Sequence, residues 1–262
     1  MTRLSWGGYP RVNHRGVVPL RSVGEPLPQL SGCVLPHAWG RSYGDSCLNA
    51  DGWLLDITRL DRIIEFNAET GHLHVEAGVT LAAILDRVVP LGWFLPVVPG
   101  TKWVSVGGAI ANDIHGKNHH GAGTFGCHVT EFELLRSSGE RLRCSAEANR
   151  ELYGATIGGL GLTGVIVTAT LQLQPIPGPA IAMERIRYGS LAEFLALAAD
   201  DANYQYTVAW VDALARGQKL GRGLYLRGRH VAAPGGPAGS HPGLLSVPFD
   251  LPVGLLTPLV AR

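Results

Sequence analysis

Residues 99–120 read Pro-Gly-Thr-Lys-Trp-Val-Ser-Val-Gly-Gly-Ala-Ile-Ala-Asn-Asp-Ile-His-Gly-Lys-Asn-His-His, and the reading of this stretch decides the fold. Gly100 and the pair Gly107 and Gly108 have no Cβ, so backbone there can approach a flat or anionic ligand. Further along, His115 stands between Ile114 and Gly116, and Lys117, Asn118, His119 and His120 follow at once. Titratable and hydrogen-bonding groups behind a glycine-lined apolar run suggest a cofactor pocket with chemistry at its mouth. The same residues also read as a glycine-rich loop between two strands with solvent-facing histidines.

Working outward, composition narrows the class. Apolar residues make up 46% of the 262 and charged residues 16%, which fits a globular chain with one large domain or two small ones. Lys and Arg total 22 against 21 Asp and Glu without a basic block, so nucleic acid is not an expected partner. Arg3, Arg11, Arg15 and Arg21 interrupt the N-terminus, and no signal peptide is expected. The longest apolar stretch, residues 244–260, is broken by Pro248, Asp250, Pro252 and Pro258, so no membrane span is expected either. Cys33, Cys47, Cys127 and Cys144 form no CxxC pair; they read as free thiols acting as small buried residues in a reducing compartment, not as a zinc site.

Strand and turn signals dominate the first 175 or so residues. Residues 53–57 predict a short strand, and 62–66 with 72–77 predict a hairpin around Asn67-Ala-Glu-Thr-Gly71. Thr80 predicts the N-cap of a helix over 81–89, ended by Pro90 and Gly92. A second hairpin is expected over 131–135 and 141–144, a short helix over 151–157, and the strongest strand over 165–173. Pro175, Pro177, Gly178 and Pro179 mark a boundary. Beyond it come a helix over 190–199, a strand over 204–211, and a glycine- and proline-rich stretch over 232–243.

Several motifs are set aside on context. Residues 121–126 and 159–164 both match GxGxxG, but each leads into an expected strand where a nicotinamide-type site needs a helix to open. Gly116-Lys117 lacks the glycine and the Ser or Thr of a phosphate-binding P-loop, with Ala111 and Asn118 in their places. Adjacent His119 and His120 point apart on most backbones, and His72 with His74 reads as an exposed hairpin edge, so no metal site is expected. Residues 40–45, Gly-Arg-Ser-Tyr-Gly-Asp, read either as an anion-binding loop or as an ordinary surface turn.

Taken in order, residues 40–45, 75–80 (Val-Glu-Ala-Gly-Val-Thr), 99–101 (Pro-Gly-Thr), 106–110 (Val-Gly-Gly-Ala-Ile), 115–118 (His-Gly-Lys-Asn) and 158–164 (Gly-Gly-Leu-Gly-Leu-Thr-Gly) resemble the vanillyl-alcohol-oxidase-type (PCMH-type) FAD-binding family over roughly residues 20–230. The resemblance implies an α+β fold, with a two-part FAD-binding domain over 1–177 and the start of an incomplete substrate (cap) domain over 178–262. It implies that Gly40, Arg41, Ser42, Tyr43, Gly44 and Asp45 wrap the FAD pyrophosphate. Pro99, Gly100, Thr101, Val104, Gly107, Gly108, Ala111 and Asn112 would lie along the cofactor. His115, Gly116 and Asn118 would sit by the isoalloxazine ring, and Gly159, Gly161, Gly164 and Ile166 would close over it from another side. Many members tether FAD through a histidine in the first loop; Tyr43 stands there, so the FAD is expected to be noncovalent. Asn112 and Leu160 depart from the family pattern.

The implied reaction moves a hydride from a sugar carbinol carbon to the flavin while a base takes the hydroxyl proton. Within the family the chain is most similar to members that oxidise the 2′-hydroxyl of a polyprenylphosphoryl ribose, the first half of an epimerisation to arabinose for the cell wall. Such members work with a partner NAD-dependent reductase. With no signal peptide or membrane span expected, the protein is expected to be cytoplasmic, or peripheral at the plasma membrane as a lipid-linked substrate implies. His115 is the candidate for a catalytic position near the ring and Lys117 for contact with the polar substrate. The alternatives are an alditol or aldonolactone oxidase that uses dioxygen, and an FAD-binding remnant without turnover. Family members are longer and return to the FAD domain after the substrate domain, whereas this sequence stops at Arg262, so a truncated chain is expected.

Overall fold

The computed structural model describes residues 4–199 and 201–232. The expected glycine- and proline-rich stretch beyond Ala232 and the apolar run 244–260 lie outside the described residues.

Three strands open the fold: β1 (Gly16–Pro19), β2 (Val34–His37) and β3 (Trp53–Asp56), with β3 parallel to both neighbours. Only β3 is legible as a strand in the sequence. Pro19 and Pro36 interrupt the other two, which is tolerable because both are edge strands in the order β1-β3-β2. The expected hairpin follows as β4 (Ile63–Phe66) and β5 (His72–Glu76). Its turn is held by Asn67, whose Oδ1 accepts from the Glu69 and Thr70 amides at 2.9 and 3.1 Å.

Helix α1 (Leu81–Val88) begins at Thr80, whose hydroxyl accepts from the Ala83 amide at 3.2 Å. It ends in a tight turn over Val89–Leu91 that Gly92 closes at φ 81°. Then come β6 (Trp93–Phe94), α2 (Val106–Ala111), α3 (His119–Ala122), the second hairpin β7 (Val129–Leu135) and β8 (Arg141–Ser145), α4 (Arg150–Thr156), β9 (Val165–Gln172) and β10 (Gln174–Pro175). Helix α2 occupies a stretch read either as the glycine-lined wall of a pocket or as a glycine-rich loop. Ser105 starts it by accepting from the Gly108 amide at 3.1 Å, and the low helix propensity of Gly107 and Gly108 hides that cap.

The main sheet is antiparallel in the order β4-β5-β9-β7-β8. Its central strand β9 is buried from Val165 through Ala169, as its β-branched composition predicts. Leu73, Val75, Ile84, Ile110, Phe132 and Val167 are almost wholly excluded from solvent and belong to one core. Each such side chain contributes about 1.5–3 kcal/mol by leaving water. Strand β5 therefore lies inside the sheet, not at a hairpin edge as His72 and His74 suggested. No cluster of three metal-ligating side chains occurs among the described residues. The cysteines are free, but only Cys144 is buried; Cys33 and Cys127 are exposed and Cys47 is half-buried, which corrects the expectation of four buried thiols.

Past the proline boundary, β11 (Ala180–Tyr188), α5 (Leu191–Ala198), β12 (Tyr206–Val211) and β13 (Gly223–Val231) form a second antiparallel sheet, β11-β13-β12, with one helix. Phe194 of α5 anchors that helix, 5.4 Å from the Tyr188 ring and 5.5 Å from Tyr225. The described chain is thus α+β. No helix among the described residues is long and apolar enough to cross a membrane.

Candidate functional site

A cleft of about 490 Å³, within the size range of small-molecule sites, opens between loops that follow β2, precede and include α2, and lead into β9. The first loop is braced at its two ends: the buried His37 bonds through Nδ1 with the Cys47 carbonyl at 2.9 Å, and the Leu48 amide donates to the Asp45 carbonyl at 2.8 Å. Gly40 takes φ 60°, and the Trp39 indole donates to the Gly78 carbonyl at 3.3 Å. Gly40, Arg41, Ser42, Tyr43 and Gly44 all line the cleft. Asp45 is exposed and lies outside it.

The opposite wall carries Pro99, Gly100, Thr101 and Val104, then Ser105, Gly107, Gly108, Ala111 and Asn112. An added Cβ at Gly44 or Gly100 would meet nothing within 4 Å, so both glycines face open space. Gly107 serves a different purpose as well. Its Cβ would lie 3.1 Å from Ala77 Cβ, and its amide donates to the Ala77 carbonyl at 2.8 Å, so its bareness lets α2 press onto the end of β5.

The third wall comes from Leu160, Gly161, Gly164 and Ile166. Leu160 sits at φ 52°, in the left-handed region that costs a branched residue energy, and its amide donates to the Ala111 carbonyl at 2.8 Å. Gly164 is forced by space, since its Cβ would come 2.8 Å from the Leu135 carbonyl oxygen. Gly159 does not line the cleft; it packs on the Ala155 carbonyl at the end of α4. Neither GxGxxG run sits between a strand and an opening helix. The first passes through a single turn of tight helix into β7, and the second leaves α4 for β9.

Residues 115–118 do not line the cleft, although Ile114 beside them does. His115 is exposed, its backbone bridges Thr124, and its ring meets His119 edge-on at 5.7 Å. Lys117 is exposed too, and its carbonyl accepts from the Thr207 amide at 2.7 Å, which ties this loop to β12. Gly116 is buried with no room for a Cβ, which would come 2.8 Å from the Val98 carbonyl oxygen. Asn118 is buried, donates to the Pro96 carbonyl at 2.6 Å, and keeps an Oδ1 without a hydrogen-bond partner among the described residues. The sequence reading missed Trp6, Trp39, Ser46 and Cys47, which also line the cleft.

The donor set suits a diphosphate-bearing, flat-ended ligand such as FAD. Arg41 faces the cleft with no carboxylate within ion-pair distance among the described residues, and glycines leave room on either side.

Comparison with known proteins agrees with the resemblance. Residues 28–145 match the family of the FAD binding domain. The chain is 43% identical over 198 residues to decaprenylphosphoryl-beta-D-ribose oxidase of Mycolicibacterium smegmatis, covering 74% of this chain and 43% of that protein. It is 42% identical over 189 residues to an uncharacterized protein of Streptomyces coelicolor, covering 69% and 51% respectively. It is 30% identical over 161 residues to L-gulonolactone oxidase of Scyliorhinus torazame, covering 61% and 36%. The chain thus spans about half, or less, of the length of these relatives.

Proposed function

We propose, from the match of residues 28–145 to the FAD binding domain family, that this chain is the cofactor-binding portion of an oxidoreductase acting on a sugar CH–OH group. The substrate we infer is a polyprenylphosphoryl ribose oxidised at its 2′-hydroxyl, because the mycobacterial relative named for such a substrate shares 43% identity with this chain. The observation that carries the reading is the cleft itself, where a cationic Arg41, without a carboxylate partner among the described residues, lies among backbone-permissive glycines.

When bound, FAD supplies the hydride acceptor. The chain's own residues divide the remaining work. Residues 40–44 surround the diphosphate, with Arg41 as the counter-charge. Tyr43 offers no histidyl nitrogen, so the cofactor is held noncovalently. Residues 99–112 and 160–166 enclose its length and keep water away from it. Lying outside the cleft walls, His115 and Lys117 act on the substrate side: His115 positions the hydroxyl and Lys117 contacts the polar headgroup. Residues 1–177 make up the cofactor domain and residues 178–262 begin a substrate domain. A separate NAD-dependent reductase would deliver a hydride from its own reduced nicotinamide to the resulting keto sugar. A lipid-linked substrate draws the protein to the surface of the plasma membrane.

The purified chain is expected to bind FAD and to release it unchanged on heat denaturation. Anaerobic addition of a polyprenylphosphoryl ribose then bleaches the flavin, and His115→Ala slows bleaching about a hundredfold while FAD affinity holds. A colourless protein that takes up no added FAD overturns the reading. Peroxide formation with L-gulono-1,4-lactone moves the substrate to the aldonolactone class, which the 30% identity to L-gulonolactone oxidase keeps in play. FAD binding without turnover on either substrate leaves a cofactor-binding protein only.

A further inference from the structure

Residues 4–8 lie outside the segment that matches the FAD-binding domain, yet they reach its cleft. The Trp6 amide donates to the Ser42 carbonyl at 2.9 Å, so this short segment is stitched to the middle of the 40–45 loop. The approach is close enough to require glycine on both sides. A Cβ on Gly7 would sit 2.6 Å from the Tyr43 carbonyl oxygen, and one on Gly40 would sit 2.8 Å from the Leu4 carbonyl oxygen. Gly8 turns the segment back at φ 65°, its amide donating to the Ser5 carbonyl at 3.1 Å. Ser5 is buried beneath it.

Trp6 lines the cleft and remains 62% exposed, so much of a large aromatic side chain is left uncovered at a ligand site. The Arg41 guanidinium lies over its ring, 5.0 Å from the centroid. On another side the Arg41 Nε–H points to the Trp103 carbonyl oxygen at 3.4 Å. Those two contacts hold the cation without neutralising it, because neither an aromatic face nor a carbonyl carries a full negative charge. The remaining N–H groups of the guanidinium are left for an anion.

We propose that residues 4–8 form a strap that retains the dinucleotide at the phosphate end of the cleft, with Trp6 as the positioning residue that aims Arg41 at the diphosphate. The inference rests on the FAD reading of the cleft and adds to it an element that the family match does not contain.

The test is FAD affinity, read by titrating the purified, flavin-stripped chain and following cofactor fluorescence. Trp6→Ala is expected to weaken FAD about fivefold, the scale of a partly exposed cation–π contact, and Trp6→Phe to restore most of the loss. Arg41→Ala weakens FAD by at least as much. The double variant binds no worse than Arg41→Ala alone, since Trp6 acts through Arg41. Gly7→Ala, which pushes the strap off the loop without touching the indole, lowers affinity as well. Melting of the flavin-free variants separates loss of the strap from loss of the fold. Unchanged affinity in Trp6→Ala, or losses in Trp6→Ala and Arg41→Ala that simply add, overturns the strap while leaving the FAD reading intact. A wild-type chain that binds no FAD removes both together.

Discussion

At the scale of single residues, the cleft depends on side chains that are missing or turned away. Gly107 is the clearest case. A methyl group there would press on Ala77 Cβ at 3.1 Å and on its carbonyl oxygen at 3.2 Å, both in the core beside β5. Gly107→Ala is therefore expected to destabilise the protein by about 1–3 kcal/mol, as overpacking does, measured as a lowered urea midpoint with an unchanged slope. An unchanged midpoint would mean that α2 can lift off the sheet freely. The sequence makes Gly107 conspicuous but does not say what comes close to it, since a missing Cβ serves a ligand and a packed neighbour equally well. Asn118 shows the same limit. Its neighbours His115 and Lys117 suggest a polar site, but the amide is spent in the interior on the Pro96 carbonyl, a backbone group 22 residues away that no local pattern reveals.

At the scale of elements, legibility follows the range of the interaction that makes each one. Helix α1 was readable because its cap, its apolar spacing and its Pro90-Gly92 stop all lie within one short window. Removing the cap with Thr80→Ala is expected to cost about 1 kcal/mol, seen as a drop in melting temperature of the purified chain; no drop would mean that packing alone holds the first turn. The hairpins β4–β5 and β7–β8 were legible for the same reason, through the turns at Asn67 and Ser138-Gly139. Strands β1, β2, β11 and β13 were not. They pair with partners far away in the chain, and β11 leaves most of its residues exposed, so neither a turn signal nor an alternating apolar pattern marks it.

At the scale of the whole molecule, the second sheet meets β6 over the buried His230 and the half-buried Tyr206. His230 Nδ1–H donates to the Gly178 carbonyl at 2.9 Å, and Nε2 accepts from the Tyr206 hydroxyl at 3.2 Å, with the Phe94 ring 4.9 Å away. Burial holds the His230 imidazole below its ordinary value and pushes the Tyr206 phenol up to about 12, so both are neutral in the folded protein near pH 7. A proton on Nε2 would leave the tyrosine hydroxyl without its acceptor. The unfolded chain binds that proton more readily, so the contribution of His230 to stability is complete above the ordinary histidine range and is lost as pH falls through it. The melting temperature should fall between about pH 7 and pH 5, and less steeply in His230→Gln; parallel curves would remove His230 from the account. The order of the main sheet has a consequence for how the chain is made. Its central strand is β9, which enters between β5 and β7 only after both hairpins have left the ribosome. A piece ending at residue 145, where the family match stops, would leave both hairpins with a bare inner edge, and such edges invite pairing between chains. Since residues 160–166 lead into or begin that same strand, its insertion closes the sheet against neighbouring molecules and completes the cleft in one event.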